Sequence, residues 1–135
     1  MYLLDTDILS NLLRPALSAN LIARLAATPA DARFTSSITL GELVYGAHRQ
    51  GPRGRLLLER IDQMLLPGRP VLPFDAAAAR RYGEVRAELE RRGTPLDEAD
   101  LRIAAIALAR NLTVVTGNVR HFQRVPGLPV ENWLE

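Results

Sequence analysis

Acidic and amide residues stand at several points where this sequence turns from an apolar run into a helical pattern. They are Asp5 and Asp7, Glu42, Asp97 and Asp100, and Asn118, with the hydroxyl of Thr116 beside the last. Each acid alone has a simple structural use. Asp5 or Asp7 fits a cap on the first helix, and Thr39-Leu-Gly-Glu42 fits an S/T-x-x-E capping box. Asp97 fits an N-cap with Asp100 at its third position, and such caps contribute about 1 kcal/mol. Three carboxylates converging on one crevice are a different matter. At ~4 Å and an effective dielectric of ~20, each pair repels by about 4 kcal/mol, more than a cap returns. A divalent cation removes that conflict, and an all-oxygen donor set suits Mg2+, with Mn2+ as a substitute. Zinc fits less well: there is no cysteine, and His48 and His121 are not spaced as a ligand pair. His48 reads as a surface residue of its helix.

Short apolar strands alternate with helices along the chain. Strands are expected at Tyr2–Asp5, Phe34–Ile38, Val71–Phe74 and Leu112–Thr116, with a last edge strand at Leu128–Val130. Helices are expected over Asp7–Arg14, interrupted by Pro15, then Leu21–Ala27, Leu40–Arg49 and Arg55–Leu66. Two more follow. Asp75–Arg92 is apolar at Ala78, Tyr82, Val85 and Leu89, and Asp97–Arg110 is alanine-rich and apolar on most sides. Continuous apolar strands separated by helices imply an α/β fold, a short parallel sheet covered on both faces. In such sheets ligands bind at the carboxyl ends of the strands, beside the switch in strand order. The polar residues above fall at those ends.

At 135 residues the chain is expected to form a single domain spanning 1–135. Without cysteine it carries no disulfide or thiolate site. No apolar run approaches the ~20 residues of a membrane span, so a soluble, cytoplasmic protein is expected. All 17 basic residues are arginine. The absence of lysine excludes P-loop phosphate binding and Schiff-base chemistry, and leaves the guanidinium fork for phosphate recognition. Abundant alanine and arginine together also fit a codon-composition bias.

Four segments in order sharpen the reading: Tyr2-Leu-Leu-Asp-Thr-Asp7, Gly41-Glu-Leu-Val-Tyr-Gly46, Asp100-Leu-Arg-Ile-Ala-Ala105 and Val114-Val-Thr-Gly-Asn-Val-Arg-His-Phe122. Together they resemble the PIN-domain family, most closely its VapC-like toxin ribonucleases, over nearly the whole chain. The resemblance implies a three-layer α/β/α sandwich on a parallel sheet of four to five strands. It implies Asp5, Glu42 and Asp100 as metal ligands and Mg2+-dependent endoribonuclease activity. It places a fourth position in Thr116-Gly-Asn118, where many relatives carry an acid at or just after Asn118. Here Asn118 and then His121 stand there. Asn118 can ligate through its amide oxygen or hold a metal-bound water, Thr116 can bond a neighbouring carboxylate, and one firmly held metal is expected rather than two. The partners implied are an RNA substrate, a cognate antitoxin and a second copy in a homodimer. The hairpin around residues 40–66 is similar to the family's antitoxin-facing arm, with Leu43, Leu56, Leu57, Leu58, Ile61 and Leu65 as its apolar face.

Two other readings compete. Asp5-Thr-Asp7 after an apolar strand is superficially similar to the start of a haloacid-dehalogenase phosphatase. That family, like response-regulator receivers, needs a downstream lysine that this chain lacks. The other is an RNA- or protein-binding module that keeps the fold without catalysis, in keeping with Asn118 where relatives carry an acid.

Overall fold

Short, largely apolar runs form the strands, and helices connect each strand to the next. The structure, a computed structural model, describes residues 1–14 and 16–135. The interruption expected at Pro15 lies outside those residues. The strands are β1 (Tyr2–Leu4), β2 (Arg33–Ser36), β3 (Val71–Leu72), β4 (Thr113–Val115) and β5 (Val130–Glu131). All pair in parallel, in the order β3-β2-β1-β4-β5. The chain builds outward from β1 on one side and then returns to its other side, so the switch in strand order lies between β1 and β4. The helices are α1 (Thr6–Leu12), α2 (Ala19–Ala26), α3 (Ser37–Arg49), α4 (Gly54–Arg60), α5 (Ala76–Arg91), α6 (Glu98–Ala109) and α7 (Val119–Phe122).

Adjacent residues of the central strands point into different cores. Leu3 and Val114 pack with Val85, Leu89, Ile103 and Ile106 of α5 and α6. Leu4 and Val115 pack with Ile8, Leu9, Leu21, Leu43 and Trp133 on the opposite face. A sheet buried on both faces needs apolar residues at consecutive positions, which is why its strands read as runs rather than alternations. The result is the three-layer α/β/α sandwich, with five strands.

Several boundaries differ from expectation for local reasons. Strand β2 ends at Ser36, whose hydroxyl accepts from Thr39 N–H at 3.0 Å and starts α3 there. Thr39 is therefore inside the helix, and no capping box joins it to Glu42, which lies in the second turn rather than the first. The helix expected over Arg55–Leu66 passes at Ile61–Leu65 into a wider π turn, closed by Leu66 N–H on Ile61 C=O at 3.1 Å. The last strand starts at Val130, two residues later than its apolar pattern indicates.

The hairpin of α3 and α4 is held by a backbone approach at Gly54. A Cβ there would lie 1.7 Å from the carbonyl oxygen of Ala47, so only glycine lets the two helices close. Of the hairpin's apolar face, Leu43, Ile61 and Leu65 are buried in the core. Leu57 and Leu58 are half-buried and Leu56 is exposed.

Candidate active site

The carboxyl ends of β1 and β4 open into a cleft of about 420 Å³ at the strand-order switch. Asp5, Asp7, Glu42, Asp97, Asp100, Asn118 and His121 line it, with Thr6, Ser10 and Arg14. Five acids and one exposed arginine give it strongly negative walls.

Asp5 follows β1 directly, and its N–H still donates to Val115 C=O at 2.9 Å. It is 3% exposed. It occupies the N-cap position of α1, yet its side chain makes no capping bond. Oδ2 instead accepts from Thr116 Oγ1 at 2.9 Å, and Oδ1 is buried with no partner. Burial, reinforced by the charges of Asp7 and Asp100, pushes this carboxyl from 3.8 up to about 7. Thr116 is fully buried and accepts in turn from Asn118 N–H at 2.9 Å. One hydroxyl thus ties the end of β1 to the loop after β4.

Asp7 lies one turn into the same cleft. Its Oδ2 accepts from Gly117 N–H at 2.7 Å, and burial raises its carboxyl as well. A Cβ at Gly117 would stand 2.5 Å from that oxygen, so the glycine gives Asp7 its place. Asp100 is held at the start of α6, where its N–H donates to Asp97 Oδ1 at 2.8 Å. Asp97 is therefore the cap and Asp100 the carboxylate freed to face the cleft. Burial, then the neighbouring Asp97, pushes Asp100 up to about 6. Its Oδ2 stands 3.5 Å from His121 Nδ1.

Glu42 reaches the cleft from α3 and is exposed. Its Oε1 accepts from Thr6 Oγ1 at 2.5 Å. The Thr6 hydroxyl lies 3.3 Å from that of Thr39, itself 3.3 Å from that of Ser36. A line of three hydroxyls thus runs from the end of β2 to Glu42. Among the described residues, no three histidine or acidic side chains are drawn together tightly enough to hold a metal ion as they stand. The donor set nevertheless fits a hard cation. The acids share one cleft, two are held well above the ordinary carboxylate range, and a buried Asp5 oxygen makes no hydrogen bond.

The structure thus brings Asp5, Glu42, Asp100 and Asn118 to one cleft, with Thr116 directly beneath Asp5. Asn118 is exposed there and holds Thr116 through its backbone only. Arg102, near Asp100 in sequence, turns away to Glu98 and to the face of Tyr82, and the arginine at the cleft is Arg14. Sequence reasoning named Asp7 among the strand-end acids but missed the parts of Thr6, Ser36 and the Thr39 hydroxyl. Their signal was the density of hydroxyls beside two strand ends, Asp-Thr-Asp and Thr-Ser-Ser-Ile-Thr.

A second groove, about 520 Å³, runs between α1 and the α3–α4 hairpin and shares Thr6, Ser10, Arg14 and Glu42 with the cleft. Its walls are Leu13, Leu43, Leu56, Leu57 and Ile61, with Arg53 and Arg60 at the rim.

The chain matches the family model described as PIN domain over residues 2–128. The chain belongs to the PIN-domain family. Within it the similarity is to VapC-type proteins. A tRNA(fMet)-specific endonuclease VapC of Salmonella typhimurium is 44% identical over 98 residues, 73% of each chain. The toxin FitB of Neisseria gonorrhoeae is 35% identical, covering 90% of this chain and 91% of FitB. The solved FitAcB structure from the same organism superposes with a TM-score of 0.89 at 33% identity, over 98% of both chains. The VapBC2 complex of Rickettsia felis bound to a promoter DNA fragment gives 0.87 at 33% identity, again over 98% of both. Within this PIN fold, no helix of the described residues is long and apolar enough to cross a membrane.

Proposed function

We propose that this protein is a metal-dependent endoribonuclease acting in the cytoplasm as the toxin of a toxin–antitoxin pair. The observation that carries this reading is the buried, unpartnered Asp5 oxygen at the switch-point cleft, with Asp7 and Asp100 beside it. Asp5, Asp100 and Glu42 are the residues to hold Mg2+ or Mn2+. The cation, when bound, lowers the pKa of a water and offsets charge on the scissile phosphate. Thr116 orients Asp5 by its hydrogen bond, and Gly117 holds Asp7 against the same loop. Glu42, exposed and bonded only through Thr6, is the carboxylate with freedom to turn inward. Asn118 offers an amide oxygen at the cleft edge. Arg14, exposed at the boundary of cleft and groove, suits a phosphate of the RNA backbone.

The leucine-walled groove is the place for the antitoxin. Similar structures from Klebsiella pneumoniae and Mycobacterium tuberculosis are a toxin–antitoxin complex and a member of a toxin–antitoxin family, and a groove walled by Leu13, Leu56 and Leu57 suits the apolar face of a helix. A homodimer belongs to the same reading and is checked by light scattering on the purified chain. The central test is cleavage. Protein freed of any partner is incubated with structured RNA and Mg2+ or Mn2+, beside Asp5→Asn. Cleavage by the wild type alone is the expected result. RNA binding without cleavage under both metals would replace this reading with the binding module. Full activity of Asp5→Asn would remove Asp5 from the metal site.

A further inference from the structure

Beside its carboxylates the cleft is lined by one imidazole, that of His121. His121 projects from the short helix α7, its imidazole 46% exposed, while the adjacent Phe122 is fully buried and anchors the turn. Asn118, at the start of that turn, is fixed to Thr116 and so to Asp5. Nδ1 of His121 lies 3.5 Å from Asp100 Oδ2. Charge-assisted hydrogen bonds between such groups are shorter, ~2.7–2.9 Å. Two donors around one first-row cation, each at ~2.1 Å from it, stand roughly 3.0–3.4 Å apart. At 3.5 Å the two groups stand beyond a close charge-assisted bond and near enough for one ion to draw them together.

Resting on the reading of this cleft as a metal site, we propose that His121 is a nitrogen ligand of the cation held there. It biases the site toward Mn2+ and its first-row neighbours over Mg2+. The independent support for a cation here is Asp5, almost wholly buried, with one carboxylate oxygen left without a hydrogen bond. The bias follows from donor chemistry. Imidazole nitrogen suits transition ions, whereas Mg2+ takes oxygen ligands and is drawn by their negative charge. An imidazole in place of a carboxylate gives up one such charge and supplies the softer donor. His48, the other histidine, is exposed on α3 and does not line the cleft.

The test is spectroscopic. Mn2+ is added to the purified full chain, free of partner, and nitrogen coupling to the bound ion is read by electron spin-echo modulation. Coupling is expected in the wild type and in His48→Gln, and is expected to vanish in His121→Gln and His121→Glu. The preference for Mn2+ over Mg2+, from competitive titration, is expected to fall about tenfold or more in His121→Glu. Because the side chain is half-exposed, these variants should melt as the wild type does without metal. Mn2+ bound without nitrogen coupling, or coupling that survives His121→Gln, overturns the proposal and leaves the carboxylate site standing. No Mn2+ bound at all, or binding unaffected by Asp5→Asn, overturns the carboxylate site and this proposal with it.

Discussion

Removing the charge of Asp5 should stabilise the metal-free protein, and by an amount that depends on pH. In the unfolded chain this carboxyl ionises near 3.8, and in the folded state near 7. Between those values the folded state keeps a proton that the unfolded state has released. Stability therefore falls as pH rises through that window and levels off above it. Asp100, pushed to about 6, and Asp7, raised as well, act in the same direction. For Asp5 alone the cost at pH 8 is of order 4 kcal/mol. Asp5→Asn keeps the oxygen that accepts from Thr116 and presents an amide N–H₂ to the neighbouring acids. Its gain over the wild type should be near zero at pH 4 and approach that figure at pH 8. Urea unfolding in EDTA, followed by circular dichroism across this range, measures the difference. A variant gain that is equal at pH 4 and pH 8 would refute the reasoning. So would a wild type that grows more stable from pH 5 to pH 8.

Mn2+ or Mg2+ should raise the melting temperature of the wild type more at pH 8 than at pH 6, since binding needs ionised carboxylates, and a calorimetric scan should find that rise absent in Asp5→Asn. Thr116→Val keeps the shape but loses the donor to Asp5 and the acceptor for Asn118; it should cost about 1–3 kcal/mol in unfolding experiments and lower RNA cleavage ~10–100-fold. Gly54→Ala should destabilise the protein by about 3 kcal/mol or more on thermal unfolding, because the added methyl meets the Ala47 carbonyl and no flexible side chain can yield. Leu56→Glu should leave folding unchanged and weaken capture of the cognate antitoxin by at least ~tenfold in a binding titration, since this leucine is half-exposed on the groove wall.

Much of the fold was legible because its strands are buried on both sides. Leu3-Leu4 and Val114-Val115 had to be apolar at consecutive positions, and that run is visible without coordinates. Helix α5 was equally open to reading: Ala78, Val85 and Leu89 mark one stripe, and all three are buried. What stayed hidden depends on contacts between distant residues. Nothing near Gly54 in sequence reveals that Ala47 lies against it. The capping box at Thr39–Glu42 was plausible in isolation, but Ser36 won because strand β2 stops earlier and presents its hydroxyl first. In the cleft, the acids were visible as residue types at strand ends. Thr116 was expected to bond a carboxylate, and it meets Asp5 across 111 positions; that Glu42 finds Thr6 across 36 was not visible. Closeness in sequence is no guide either: Arg102, two residues from Asp100, faces Glu98 and Tyr82 instead.

The central place of β1 in the sheet also has a consequence for synthesis. The strand that leads into Asp5 is made first, yet β4, which fixes one of its edges, follows more than a hundred residues later. At roughly 5–20 residues per second, translation from Asp5 to Thr116 takes on the order of 6–22 s. Throughout that interval Asp5 has neither the Thr116 hydroxyl nor the floor of the cleft. On the proposed reading, a chain still lacking Thr116 has an incomplete cleft, and RNA cleavage is expected only once that residue is in place.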